Sequence, residues 1–217
     1  MPPVTNRFIE PVAWVLAAGW GRRMGGRPKS AMRIHGLSVL EGLITALADG
    51  CKHVNVLVGP YADVLGPLAL QAGAHVHMVS QPGGSILDSQ ADAIRLHLRG
   101  HPGRDMLITV ADLPLLQAAH VQALLCAWHE SPKVNALAPV VGAQRGHPVV
   151  LPSALAQKVS AEGHGHLRTW FQHHPASLAT WEAADRAYVT DFDTPEDLDA
   201  VSAFVRHGPL PAAPEPP

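Results

Sequence analysis

The chain has 217 residues, of which 47% are hydrophobic, and its formal net charge is −2 at pH 7. This length allows a substantial core in one domain, and the near-neutral charge gives no reason to expect nucleic acid as a partner. No apolar run approaches the roughly 20 residues that span a bilayer, so we expect no membrane contact. Cys51 and Cys126 are far apart in sequence, which argues against a disulfide framework and favours the cytoplasm.

Residues 12–29 read VAWVLAAGWGRRMGGRPK and predict a buried strand that runs into a glycine-rich turn. Small residues let the backbone approach a ligand closely, and successive N–H groups at such a turn form an anion site suited to phosphates. Arg22, Arg23 and Lys29 add positive charge. The segment therefore predicts a phosphate-binding loop.

Two common phosphate loops do not fit this spacing. A Walker A loop requires Gly-Lys-Ser/Thr after four intervening residues, whereas Gly26 is followed by Arg27 and Pro28. A dinucleotide fingerprint requires a glycine three residues after Gly21, where Met24 stands. The first interpretation fails and the second is weakened.

The rest of the chain alternates between strand and helix patterns. Further strands are predicted over 52–58, 75–79, 105–110, 134–141, 149–151 and 188–190, and helices over 38–47, 62–72, 85–98, 116–128, 153–159, 166–173 and 196–205. Gly66-Pro67 predicts an interruption of the second helix, and Ser85 with Asp88 predicts a cap of the third.

This alternation predicts an α/β fold with three layers, in which a Rossmann-like, mainly parallel sheet is flanked by helices. We expect residues 11–206 to form a single domain, with flexible tails at residues 1–10 and 207–217.

Asp112 follows the apolar strand at 105–110 directly and precedes Leu113-Pro114. Ligands in parallel sheets gather at the carboxyl ends of the strands, and the glycine-rich segment also follows a strand. Asp112 is therefore a candidate site residue. The alternative is a turn aspartate with no ligand, since Asp is common in turns before proline.

The string from Leu16 to Lys29 resembles the signature of the MobA-like nucleotidyltransferases, LAAGxGxRMGxxK, with one extra residue before the lysine. The resemblance implies that Arg23 and Lys29 are catalytic and offset charge at the α-phosphate or the leaving pyrophosphate. It also implies a loop that binds the nucleotide through its main chain. The residues of that loop are Leu16, Ala17, Ala18, Gly19, Gly21 and Gly25.

Two acidic motifs carry the resemblance further. The family usually has Gly-Asp-x-Pro at the strand end, with an aspartate that holds Mg²⁺, and this chain has Ala111-Asp112-Leu-Pro. DFDTPEDL resembles the DIDTPEDL motif of the molybdenum-cofactor cytidylyltransferase branch and supplies Asp191 and Asp193. Mg²⁺ binds through one or two carboxylates plus phosphates and water. We assign Asp112 and Asp193 as metal ligands, with Asp191 in reserve. A plain helix start at Thr194 is the alternative.

RGHPV at Arg145–Val149 also matches this branch. The resemblance implies that Arg145, Gly146 and His147 lie on the side of the acceptor or the base, while a hairpin shaped by glycine and proline is the alternative. Further on, EGHGHLR stands where the branch tends to have Gly-Asp-x-Gly-Ala-Arg, with His164 in the place of the acid. The nearby histidines at 166, 173 and 174 lack an acid or cysteine at a suitable spacing, so we do not expect a transition-metal site.

The resemblance implies transfer of a nucleoside monophosphate from an NTP, with CTP favoured, to a phosphate monoester such as molybdopterin, with Mg²⁺ as cofactor and pyrophosphate as product. Expected partners are the NTP and a small phosphorylated acceptor, and contact with a molybdoenzyme or its chaperone is left open. A sugar-phosphate nucleotidyltransferase is one alternative. Another is an inactive nucleotide-binding regulator or chaperone, suggested by Ala111 and His164. A glycosyltransferase would use Asp191 and Asp193 as a DxD motif, and a dinucleotide oxidoreductase would bind a nicotinamide cofactor without a metal.

Overall fold

The computed structural model describes residues 10–20, 28–34, 36–81, 86–163, 167–192 and 197. Its strands are β1 (Val12–Ala17), β2 (Arg33–Ile34), β3 (Leu37–Ser38), β4 (Val54–Val58), β5 (His75–Met78), β6 (Met106–Val110), β7 (Ala136–Val141), β8 (Gln144–Arg145), β9 (Val149–Leu151) and β10 (Leu178–Glu182). Its helices are α1 (Val39–Ala48), α2 (Ala62–Gln71), α3 (Ile86–Gly100), α4 (Ala118–Glu130), α5 (Ser153–Ala161) and α6 (Leu167–His173). Short 3₁₀ helices cover Lys29–Ala31, Pro175–Ser177 and Arg186–Tyr188.

The main sheet has the strand order β10-β7-β9-β6-β1-β4-β5, with β8 added to β7, and β2 and β3 form a separate two-stranded sheet. β1 lies at the centre and pairs in parallel with β4 and β6. β9 pairs antiparallel with both β6 and β7. The sheet is therefore mainly parallel, as predicted.

Helices cover both faces of this sheet. Alternate β1 residues point to opposite faces because side chains alternate along a strand. Ala13, Val15 and Ala17 join a buried cluster with residues of α1, α2 and α4, whereas Trp14 and Leu16 join a second cluster with residues of α3, α5 and α6. β1 is buried along its whole length, which explains its unbroken apolar sequence. The predicted three-layer α/β fold is confirmed.

Helix α1 begins at a complete capping box. The Ser38 hydroxyl accepts a hydrogen bond from the Glu41 N–H at 3.1 Å, and the Glu41 carboxylate accepts one from the Ser38 N–H at 2.8 Å. These hydrogen bonds lower the pKa of Glu41. Two N–H groups at the helix start are thus satisfied, and the start of α1 at the edge of the β2–β3 hairpin is fixed.

Two local predictions were wrong. Residues 188–190 are not a strand, since Tyr188 ends a 3₁₀ helix, and the last strand of the sheet is instead β10. Helix α2 continues through Pro67 because Leu65 and Ala69, on either side of the proline, are buried in the core. The helix predicted to begin near Leu116 is α4, which begins at Ala118 after Gln117 as N-cap. Ser85, and the predicted helix over 196–205 except Asp197, fall outside the described residues.

Within the described ranges, none of the helices is both long enough and apolar enough to cross a membrane.

Candidate active site

The carboxyl ends of β1, β4 and β6 lie side by side. Leu16 is paired with Val110 of β6, and Ala17 with Val58 of β4. The segments that follow these strands, 18–20, 59–61 and 111–112, therefore begin at one edge of the sheet. This is the edge where ligands bind in sheets of this kind.

Lys29 and Asp112 meet at this edge. The Lys29 Nζ atom lies 3.8 Å from an Asp112 carboxylate oxygen, and the side chains are 17% and 28% exposed. Lys29 begins the 3₁₀ helix that follows the glycine-rich segment, and Asp112 follows β6 by two residues. Two candidates separated by 83 positions in the sequence are thus brought together. Both side chains keep access to solvent, which a group that exchanges ligands requires.

The predicted nucleotide loop is only partly described. The side chains of Leu16, Ala17 and Ala18 are buried in the core, so these residues offer a ligand their main chain and little else. Gly19 is exposed, and a Cβ atom placed on it would meet nothing within 4 Å in the described part of the chain. Gly21, Arg23 and Gly25 fall outside the described residues.

The RGHP segment reaches the same edge because β9 runs antiparallel. Val149, the first residue of β9, pairs with Ile108, so residues 145–148 precede it on the side of the carboxyl end of β6. Gly146 donates its N–H to the Pro139 carbonyl and His147 donates its N–H to the Tyr188 carbonyl, both at 2.8 Å. A Cβ on Gly146 would lie 2.3 Å from the Tyr188 carbonyl oxygen. Glycine is therefore required here by packing.

His147 is the half-buried histidine of this turn. Burial lowers its pKa, as does nearby Arg145, while a hydrogen bond to the Ile108 backbone and the charge of Asp191 oppose the shift. Its Nδ1 atom is buried and has no hydrogen-bond partner among the described residues. In its neutral form an imidazole has one acceptor nitrogen, which can orient a ligand without adding positive charge.

A cavity of about 750 Å³ opens beside this turn, between the sheet and helices α3 and α6, a size typical of ligand sites. Its walls include apolar Leu16, Val110 and Phe171 and the two basic side chains Arg145 and Arg168. An apolar floor with cationic groups suits a small anionic molecule with a planar or apolar part. Arg168, which ends the EGHGHLR string, was not among the site residues predicted from the sequence.

The acidic DFD segment is only partly described. Phe192 is buried against Val39, with Met32 and Ile34 packed around it. This contact holds the DFD segment next to residues 32–34, which follow Lys29 in the chain. Asp191 is exposed and its charge acts on His147. Asp193 falls outside the described residues, so the choice between the two aspartates as second metal ligand stays a prediction.

The histidines near α6 have packing roles where they are described. The His174 ring stacks on Trp170 with centroids 4.2 Å apart, and its Nε2 atom lies 3.8 Å from the Glu162 carboxylate. In the part of the chain that the structure describes, no group of three His, Cys, Asp or Glu side chains could hold a metal ion. His164 and His166 fall outside it.

Residues after β4 contribute a contact that the sequence did not reveal. A Cβ on Gly59 would lie 3.0 Å from the Cα, Cβ and O atoms of Ala18, and the Tyr61 hydroxyl donates to the Trp20 carbonyl at 3.0 Å. The only available signal was a Gly-Pro pair after a strand, which indicates a turn. The contact of this turn with Ala18 and Trp20 depends on residues far apart in the sequence, so the pair could not indicate it.

Comparison with known proteins identifies the family. Residues 13–180 match the MobA-like NTP transferase domain, which is more than half of the chain. The chain belongs to this family. The resemblance stated from the loop motif is thus confirmed, and the protein is a nucleotidyltransferase-family member with the family's α/β fold.

Relatives of this MobA-like chain carry different activities. It is 26% identical over 200 residues to the nicotine blue oxidoreductase of Paenarthrobacter nicotinovorans, covering 85% of this chain and 92% of that one. It is 25% identical over 203 residues to the molybdenum cofactor guanylyltransferase of a Shewanella strain, covering 89% and 95%. A solved nucleotidyl transferase from Methanothermobacter superposes with a TM-score of 0.73 at 17% identity, covering 91% and 98%, which shows the shared fold.

Proposed function

We propose that this MobA-like protein transfers a nucleoside monophosphate from an NTP to a phosphate monoester such as molybdopterin and releases pyrophosphate. The observation that carries the proposal is the contact between Lys29 and Asp112 at 3.8 Å, at the strand edge where the glycine-rich segment begins. This contact joins a cation and a carboxylate at the edge of the sheet where the loop residue Gly19 is exposed.

In the proposed reaction, a phosphate oxygen of the acceptor attacks the α-phosphorus of the NTP. A new P–O bond forms, the bond between the α-phosphorus and the bridging oxygen breaks, and pyrophosphate leaves with that oxygen. An ionised phosphate is already nucleophilic near neutral pH, so no general base is required. The protein's contribution is therefore placement and charge compensation.

Each residue has a proposed role in this reaction. Main-chain N–H groups from Ala18 to Gly25 hold the triphosphate. Lys29 and Arg23 compensate charge at the α-phosphate or on the leaving pyrophosphate. Arg145, Gly146 and His147 bound the acceptor or the base, and the cavity that Arg168 also lines is where the acceptor enters.

The donor set fits Mg²⁺ because Asp112 is a carboxylate at the ligand edge and its side chain is partly exposed. Asp193 is the proposed second ligand, with Asp191 as the alternative. One or two carboxylates together with substrate phosphates are the usual Mg²⁺ environment in proteins. When bound, the ion supplies charge neutralisation for the phosphates.

CTP is the favoured donor because RGHPV and DFDTPEDL match the cytidylyltransferase branch. The Shewanella relative is named a guanylyltransferase, so GTP is the main competitor. We further propose that the chain works in the cytoplasm, in keeping with two free cysteines, and that contact with a molybdoenzyme or its chaperone follows if molybdopterin is the acceptor.

A second candidate is an oxidoreductase, favoured by the similarity to nicotine blue oxidoreductase over 85% of this chain. It predicts binding of a nicotinamide cofactor that does not depend on a metal. Met24, in place of the third glycine of the dinucleotide fingerprint, argues against it.

Thermal-shift measurements on the full-length protein distinguish these candidates, since a bound ligand raises the apparent stability by RT ln(1 + [L]/Kd). The panel contains CTP, GTP, ATP and UTP with and without Mg²⁺, and NADH and NADPH. The proposal predicts a Mg²⁺-dependent shift that is largest with CTP. A shift with a nicotinamide cofactor alone would support the oxidoreductase instead.

A further inference from the structure

The turn after β4 lies directly against the start of the nucleotide loop. Gly59 is buried and its Cα is so close to Ala18 that an added Cβ would stand 3.0 Å from three Ala18 atoms. Two of those atoms belong to the main chain and the third is a methyl group, so none can rotate away. Glycine is needed here for close approach and not for a left-handed φ.

Tyr61 forms the second part of this contact. Its hydroxyl donates a hydrogen bond to the Trp20 carbonyl at 3.0 Å, and its ring meets the Trp20 ring edge to face, with centroids 6.4 Å apart. Tyr61 is itself held at the start of α2, because its carbonyl accepts hydrogen bonds from Val64 and Leu65. The Trp20 peptide is thus tied to the rigid end of a helix.

We propose that Gly59 and Tyr61 are positioning residues that preorganise the main chain of residues 18–20, at the start of the nucleotide loop, for the NTP. The role rests on the proposed function. A loop that binds phosphates through its backbone must have its N–H groups in place before the ligand arrives, because ordering them on binding reduces affinity. Gly59 sets the depth of Ala18, and Tyr61 sets the orientation of the Trp20 carbonyl.

The proposal predicts that loss of the Tyr61 hydroxyl weakens binding of the donor nucleotide and leaves binding of the acceptor unchanged. In the Tyr61→Phe variant we expect the dissociation constant of the NTP to rise about five- to tenfold, the size of one lost hydrogen bond. The KM of the acceptor should stay within twofold. Gly59→Ala should show the same weakening of NTP binding. Gly100→Ala should not change NTP binding, because a Cβ there meets nothing within 4 Å among the described residues.

The chain offers a matched control, since its other tyrosine also donates to a backbone carbonyl. The Tyr188 hydroxyl bonds to the His120 carbonyl at 2.8 Å, so Tyr188→Phe makes the same chemical deletion away from the loop. We expect this variant to lose a similar amount of stability while its NTP dissociation constant stays within twofold of the wild type. A purely structural role for Tyr61 would make the two variants behave alike.

The experiment combines calorimetric titration with the tightest-binding nucleotide and amide hydrogen exchange of residues 18–20 without ligand. Faster exchange in Tyr61→Phe, together with the weaker NTP binding, supports the proposal. Unchanged exchange, or unchanged NTP affinity in a protein whose wild type binds NTP, overturns the positioning role alone. A wild type that binds none of the four nucleotides overturns the proposed function, and with it the positioning role of Gly59 and Tyr61.

Discussion

The Nζ atom of Lys29 lies 3.8 Å from a carboxylate oxygen of Asp112. These two residues come from the segment after the glycine-rich loop and from the end of the neighbouring parallel strand β6. Their separation is long for an ion pair, and both side chains are partly exposed, so the pair contributes little to stability. The proximity of Lys29 and Asp112 is therefore better explained by a shared functional site than by a contribution to folding stability.

Removing either member of this pair should strongly reduce activity without unfolding the protein. For Lys29→Ala and Asp112→Asn we expect kcat/KM for nucleotidyl transfer to fall about 10²-fold or more, because a preorganised charge at the reacting phosphates is lost. The free energy of unfolding should change by less than about 1 kcal/mol. Steady-state kinetics and urea titrations measure the two quantities.

Lys52→Ala is the control for this pair, since Lys52 is exposed and precedes β4 at the opposite edge of the sheet. It should retain wild-type kinetics. Activity within tenfold of the wild type in either site variant would contradict the assigned roles.

A substitution at Gly19 should affect NTP binding and leave the stability of the fold almost unchanged. A Cβ at Gly19 meets nothing within 4 Å in the described ranges, so Gly19→Ala should change the free energy of unfolding by no more than about 0.5 kcal/mol. If phosphates approach this backbone, the methyl group should weaken NTP binding by roughly tenfold, a steric cost of about 1.4 kcal/mol. Calorimetric titration and urea unfolding check both parts. Unchanged affinity would show that the NTP does not contact Gly19.

Gly146 should behave in the opposite way. Because a Cβ there would lie 2.3 Å from the Tyr188 carbonyl oxygen, Gly146→Ala must displace one of the two backbones and should cost about 3 kcal/mol of stability. The hydrogen bond from the His147 N–H to the same carbonyl should weaken with it. Urea unfolding measures the loss, and Gly100→Ala serves as the tolerant glycine. A fully stable Gly146→Ala protein would contradict the packing described at this turn.

Acid should destabilise the sheet edge opposite the site through His97. The His97 side chain is fully buried and its Nδ1 atom accepts the Trp14 indole N–H at 3.2 Å. Burial, together with the charges of His101 and Arg104, lowers the pKa of His97, while a hydrogen bond to the Arg104 backbone and the charge of Asp105 oppose this. Burial also lowers the pKa of His77 and of His101.

A histidine with a lowered pKa is easier to protonate in the unfolded chain. Its stabilising effect is therefore complete above the unfolded pKa of about 6.5 and is lost as the pH falls below it, by about 1.4 kcal/mol for each pKa unit of depression. In urea titrations at pH 8.0 and 5.5, His97→Gln should show a smaller loss of stability on acidification than the wild type. Gln172→Ala, at an exposed position whose side chain does not titrate, should keep the wild-type pH dependence. An equal loss in His97→Gln and the wild type would contradict this account.

The sequence was most informative where a pattern is local. The buried run of β1 and the helical pattern that begins at Ser38 each depend on neighbouring residues, and both elements were predicted from the sequence. Strand β10 was missed because it is an outermost strand of the sheet and its residues are at most half buried. Its apolar signal is therefore weak. Residues 188–190 resembled a strand because Tyr188 and Val189 favour strands, although Tyr188 is buried through a 3₁₀ turn.

The candidate site was predictable as a set of motifs and not as an arrangement. Lys29 and Asp112 were both chosen from the sequence, but their contact follows from the pairing of β1 with β6. Gly59 and Gly146 are glycines for reasons that lie 41 and 42 positions away, at Ala18 and Tyr188. Non-local contacts of this kind leave no periodic signal in one sequence. The roles of Arg23, Gly21, Gly25 and Asp193 stay predictions.

The most direct test of the central claim follows the α-phosphate. Wild-type protein is incubated with each of the four NTPs labelled at the α-phosphate, Mg²⁺ and molybdopterin, and the labelled product and pyrophosphate are quantified. The account predicts label transfer to the acceptor, one pyrophosphate for each transfer, no transfer without the acceptor, and a rate at least about 10²-fold lower in Asp112→Asn. Absence of label transfer with all four nucleotides, or equal transfer by Asp112→Asn, would contradict it.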